Sequence, residues 1–163
     1  MSTLRLKIRE GCEEPYVEFH VDGEDLGSRI KASLGEVGFD DVLPWYGGDY
    51  KLDETVLGRP ARCNGAEGAI LFACGCGYFD CSGVFANVVV TDDTLTIRDI
   101  FTWRGGQKVV APIEPVVFDR VQFDDAVRQL EREIENWRPP PPKAEVPRRV
   151  LVTPPPAGAK GGN

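Results

Sequence analysis

The sequence predicts an α+β domain: a mostly antiparallel sheet of five or six strands with a C-terminal amphipathic helix packed on one face. Three observations predict it. Apolar and polar residues alternate through residues 4–8, 16–21 and 94–103, the period of a half-buried strand. Turn-forming clusters such as Asp22-Gly23, Asp92-Asp93 and Gly105-Gly106 separate these runs. A helical period replaces the strand period where Phe123, Val127, Leu130, Ile134 and Trp137 recur at intervals of four, three, four and three. The 163 residues, 42% of them hydrophobic, suit one domain with its own core, which we place at residues 1–137.

In chain order, Leu4, Leu6 and Ile8 alternate with charged residues, the chain turns through 10–15, and residues 16–21 alternate back, a hairpin. Residues 28–37 read as a short helix. Residues 38–68, rich in glycine and acids, read as surface loops. Residues 69–76 form a strand that runs into a cysteine-rich turn. Valine-rich 84–91 and alternating 94–103 make a hairpin, with Leu95, Ile97, Asp99, Phe101 and Trp103 expected on one side. Gly105-Gly106 supplies the positive φ of the next turn. The returning strand, 108–117, carries Pro112 and Pro115, which confine it to an edge or to irregular pairing. The helix over 121–137 starts at Asp119 or Gln122 and stops before Pro139.

Residues 138–163 differ in kind. They hold eight of the thirteen prolines, five basic side chains and one acid. Proline removes backbone donors and fixes φ, so the stretch reads as an extended tail. It is interrupted by the β-prone segment Arg148-Arg149-Val150-Leu151-Val152-Thr153. Residues 1–137 then carry 14 basic and 25 acidic side chains, net −11. Such a body repels phosphate backbones, so no nucleic-acid partner is expected. No apolar run approaches the ~20 residues needed to span a bilayer, so no membrane partner is expected either. Met1 to Glu10 lacks the apolar stretch of an export signal, and five cysteines is an odd number; both favour a reducing, cytoplasmic setting.

Chemistry concentrates at one place. Cys74, Cys76 and Cys81 lie within eight residues, with Gly75 and Gly77 able to fold the backbone tightly around a metal. Zinc takes four soft ligands at about 2.3 Å, and Cys63 is the nearest fourth, with Cys12 and His20 after it. The C-x-C-x4-C spacing resembles the small zinc site that follows SET methyltransferase domains; nothing else of such a domain is present, and the likeness implies nothing about methyl transfer. The same cysteines also continue the apolar face of Ile70 and Phe72, and buried thiols pack as small hydrophobes. One structural zinc ion and plain core thiols both stay open. His20 is the only histidine and falls on the strand face of Tyr16 and Glu18, opposite Phe19 and Val21. The adjacent carboxylates Glu13/Glu14, Asp40/Asp41, Asp53/Glu54, Asp92/Asp93 and Asp124/Asp125 sit at turns, loops or a helix start, where turn and cap chemistry explains them. No phosphate-binding glycine loop and no G-x-S-x-G occurs.

The run 71–83, the aromatic pair Phe101/Trp103, and Phe118-Asp119-Arg120-Val121-Gln122-Phe123 before the helix together resemble a group of small bacterial proteins. Those carry a C-x-C-G…G-C turn, a hairpin with Trp and Phe, and an F-x-R-x-Q-[YF] helix start. The likeness covers residues 16–137; Phe79-Asp80 replaces the glycine usual before the third cysteine. The resemblance implies domain limits and a bacterial origin; the group has no established activity.

The expectation is a non-catalytic cytosolic binding or adaptor protein with a protein partner. Its contact peptide is Arg148, Arg149, Val150, Leu151 and Val152, and no catalytic or cofactor-binding residue is assigned. The alternative is a small metal-dependent or thiol enzyme centred on residues 74–81.

Overall fold

The computed structural model describes residues 1–12, 15–35, 55–58, 61–62, 65–73 and 83–141. Within them the chain forms β1 (Leu4–Ile8), β2 (Val17–Val21), β3 (Glu24–Asp25), α1 (Leu26–Leu34), β4 (Ala66–Ala73), β5 (Gly83–Val90), β6 (Thr94–Arg104), β7 (Gln107–Val110), β8 (Val116–Asp119) and α2 (Arg120–Asn136). The fold is α+β, as the patterning predicts. The strands divide between two antiparallel sheets. One is β1-β2-β3; the other is β4-β5-β6-β7, with β8 also paired to β6.

The first sheet follows from alternation. Leu4, Leu6 and Ile8 stand opposite Val21, Phe19 and Val17, and this apolar set faces the core. Arg5, Lys7, Glu18 and His20 take the other face because the side-chain period is two. Asp22, at φ 54°, turns the chain into β3 and accepts the Thr3 N–H at 2.7 Å. That bond to the charged form, helped by Ser2, holds the Asp22 carboxyl below its usual pKa. The first helix begins earlier than the expected residue 28. Asp25 caps it, accepting both the backbone N–H and the hydroxyl of Ser28.

The second sheet departs from the sequence reading at β6. Arg98 pairs with Asn87 but Phe101 pairs with Phe85, so β6 holds one extra residue there. Asp99 absorbs it at φ 50°. Beyond the bulge the faces exchange: Leu95 and Ile97 point into the core, then Ile100 and Thr102 do. Phe101 and Trp103 are therefore on the face opposite Leu95 and Ile97, not beside them. A second irregularity lies in β4 between Ala66 and Ala69. The Asn87 side chain ties the two together: its Oδ1 accepts the Gly68 N–H at 3.0 Å and its Nδ2 donates to the Asp99 carboxylate at 3.1 Å. At Gly65, φ +76°, a Cβ would stand 2.8 Å from the Val88 carbonyl oxygen, so only glycine fits this approach.

The proline-bearing return divides into two strands. β7 pairs with Phe101–Arg104 and β8 with Thr94–Ile97, along the same side of β6. Pro112 and Pro115 fall between them, where no ladder donor is needed. Asp119 then caps α2 by accepting the Gln122 N–H at 2.9 Å. Phe123, Val127 and Leu130 are fully buried, Ile134 packs partly against the core, and Trp137 is half-buried at the C-cap, with its N–H on the Ile134 carbonyl. Phe19, Phe118 and Phe123 form an aromatic chain, with ring centroids 6.2 and 5.5 Å apart. One continuous core thus joins both sheets and both helices. Among the described residues no helix is long and apolar enough to cross a membrane.

Candidate functional site

A cleft of about 480 Å³ lies between β1 and α2, lined by Leu4 to Ile8, Glu10, Ala126, Gln129 and Glu133. Its origin lies in the topology. Among the described residues β1 is an edge strand, since β2 covers only one of its sides. Thr3 accepts the Asp22 N–H at 2.9 Å and Arg9 donates to the Tyr16 carbonyl at 2.7 Å, so the odd-numbered residues of β1 point their backbone groups toward β2. Leu4, Leu6 and Ile8 therefore aim their N–H and C=O groups outward. Ser2, on the same outer side, donates to Val117 at 2.7 Å in a parallel bridge to β8. β8 then ends at Asp119 and the chain becomes helical, so among the described residues no strand lies along the edge past Ser2. No hydrogen bond among the described residues reaches the outer backbone groups of Leu4, Leu6 and Ile8.

β1 and α2 both leave the Ser2–Phe118 bridge and run side by side. One wall of the cleft is a row of strand donors and acceptors, with the half-buried side chains of Leu4, Leu6 and Ile8 beneath. The other wall is the flank of α2, where Gln129 donates to Glu133 at 2.9 Å. Glu10 and Glu133 make the Ile8 end acidic. An unpaired strand edge beside a helix flank can accept an extended peptide as a further strand.

The opposite face of the first sheet is polar, and three of its charged or titratable side chains meet on it. Glu18 accepts from the Arg9 Nε at 2.9 Å and lies 3.1 Å from the His20 Nε2. Partial burial acts to raise the Glu18 pKa, but the hydrogen bonds from His20 and Arg9 outweigh it and lower the pKa below the usual value. His20 sits on the Glu18 face, as the alternation predicts, with 17% of its side chain exposed.

The cysteine turn is located only by its feet. Ala73, the last residue of β4, pairs with Gly83, the first of β5, and the Thr102 hydroxyl donates to the Gly83 carbonyl at 2.8 Å. Cys63, Cys74, Cys76 and Cys81 lie outside the described residues, as do Arg148, Arg149, Val150, Leu151 and Val152. Cys12 lies in the turn after β1 and His20 near the far end of β2, so the sheet holds these two apart. Among the described residues no group of three or more His, Cys, Asp or Glu side chains is placed to hold a metal. Of the paired carboxylates that are described, Asp92/Asp93 make the β5–β6 turn, Asp124 lies 3.9 Å from Arg62, and Asp125 bonds Arg128.

The sequence reading misses the cleft residues. It finds Leu4, Leu6 and Ile8 as a core-facing set, but whether a strand has a free edge depends on which strand lies beside it. Comparison with protein-family models, curated proteins and solved structures found no match to this chain.

Proposed function

We propose that this is a non-catalytic binding or adaptor protein that takes an extended segment of a protein partner into the β1–α2 cleft. The single observation that carries this reading is that, among the described residues, nothing pairs with the outer edge of Leu4, Leu6 and Ile8 beside the α2 flank. Main-chain bonds along such an edge supply affinity, and the alternate side chains that face the helix supply selectivity. The matching ligand is a β-prone segment of four to six residues, basic at the end that meets Glu10 and Glu133. The 138–163 tail, with Arg148 to Val152, belongs to the same reading as the chain's own docking peptide. A reducing, cytoplasmic setting suits the thiols.

Leu6→Pro tests the cleft. Proline there deletes an outward donor and leaves the β1–β2 ladder intact. Titration of the labelled full chain with short basic-valine peptides should shift the amide resonances of Leu4 to Ile8 and of Ala126, Gln129 and Glu133. The variant should lose that response while its melting temperature stays within a few degrees. Shifts elsewhere, or none, would remove the proposal.

Within this reading the cysteine turn is structural, either pinned by one zinc ion on Cys74, Cys76, Cys81 and Cys63 or packed as thiols. Elemental analysis of the purified chain decides between them. One zinc per chain, lost together with folding in Cys76→Ser, supports the ion; no metal and unchanged folding in Cys81→Ser rejects it.

A further inference from the structure

We infer that the partner segment taken into the β1–α2 cleft alternates apolar and acidic residues, lies antiparallel to β1, and sets two carboxylates opposite Arg5 and Lys7. This rests on the reading of the cleft as a strand-accepting site and names the chemistry of its ligand.

The first argument is register. The backbone groups of Arg5 and Lys7 point toward β2, and those of Leu4, Leu6 and Ile8 point away from it. A segment added antiparallel, the more stable pairing per residue, therefore bonds to Leu4, Leu6 and Ile8. Its residues opposite Arg5 and Lys7 take the non-hydrogen-bonded positions, where facing side chains come closest, with Cβ atoms about 4.5 Å apart. Side chains that face each other across strands share a face of the sheet. The residues opposite Leu4, Leu6 and Ile8 thus belong to the apolar side beside α2, and those opposite Arg5 and Lys7 to the polar side. Arg5 and Lys7 both line the cleft.

The second argument is charge. Lys7 stands opposite Glu18 and Arg5 opposite His20, but the Glu18 carboxylate is engaged by Arg9 and His20. Among the described residues neither Arg5 nor Lys7 makes an ion pair or a side-chain hydrogen bond. Two cations at alternate positions of β1, about 7 Å apart, match two carboxylates at alternate positions of the ligand. Opposite charges facing across strands stabilise a pair of strands and like charges destabilise it. The same rule rejects a second copy. In a symmetric pairing of two β1 strands about Leu6, Arg5 of one copy would face Lys7 of the other. A slip of one residue is rejected too, because it would carry the carboxylates to the face of Leu6 and Glu133. At long range the body, net −11, repels an acidic ligand, so the selection acts at contact and reads where the acids stand, not how many there are.

Three capped peptides test the inference against the labelled full chain. The first is Lys-Thr-Val-Glu-Val-Glu-Val, whose basic end meets Glu10 and Glu133. The second replaces both glutamates by glutamine, and the third replaces them by lysine. All three should shift the amide resonances of Leu4 to Ile8. The glutamate peptide should bind at least about threefold tighter than the glutamine peptide, and the lysine peptide should bind weakest. In Arg5→Gln/Lys7→Gln the preference for glutamate should vanish, while the Kd of the glutamine peptide stays unchanged. Equal binding of the glutamate and glutamine peptides to the wild type would overturn the inference and leave the cleft reading standing. A preference that persists in the double variant would overturn it as well, since another cation would then read the acids. If no peptide shifts Leu4 to Ile8, the cleft reading itself fails. The wild-type comparison decides the matter even if the double variant does not fold.

Discussion

Asp99 and Glu18 show how far a single side chain can steer this fold. At Asp99 one inserted residue reverses the face of everything after it in β6. Strict alternation extended across that position puts Phe101 and Trp103 with Leu95 and Ile97, and the structure separates them. Nothing in the local pattern marks Asp99, because the bulge is fixed by Asn87 on the neighbouring strand. Glu18 was legible only as a strand residue on the polar face; its partnership with Arg9 needs the β1–β2 register. Its pKa is lowered in the folded state, so its contribution to stability is full above the unfolded value, about 4.3, and fades as pH falls through the folded value. Glu18→Gln should therefore be less stable than the wild type in urea at pH 7. The gap should close as the titration moves below about pH 4; a gap that widens in acid would contradict the assignment.

At the scale of elements, α2 was the most legible because its signal is local. Five apolar residues at helical spacing, an aspartate before the first turn and a proline after the last fix its limits to within a residue or two. Its buried stripe carries the energy. Leu130 is 1% exposed in the core shared by both sheets, so Leu130→Ala should cost about 2–5 kcal/mol in chemical denaturation. A loss under about 1 kcal/mol would mean that the site collapses around the smaller side chain. The strands were legible one by one but their partners were not. Strand pairing is set by contacts distant in sequence, so the division into two sheets, the split of the return strand and the outer edge of β1, unpaired past Ser2 among the described residues, have no counterpart in any short window. The first helix shows a smaller loss of the same kind. Asp25 closes β3 and caps α1 at once, and the strand role hides the cap.

At the scale of the whole molecule, one core links two sheets, and β6 is the member on which the larger sheet depends. Its length lets it hold β5 along one side and both β8 and β7, end to end, along the other. β8 carries Val116 and Phe118 into the core, whereas β7 is largely exposed, Val110 being 51% accessible. The two short strands share a partner and little else, so they need not open together. β7 is a low-cost unit of local unfolding and β8 opens only with the molecule. Native-state exchange should rank them, with β7 amides insensitive to low denaturant and β8 amides tracking global stability; equal behaviour would make the two strands one unit. Since Phe101 stacks on Phe85 and meets Trp103 edge-on beneath the β7 side chain Lys108, each excursion of β7 would bare an aromatic ladder and an edge of β6 to solvent. The bulge that divides β6 between two partners thus also sets where this protein breathes.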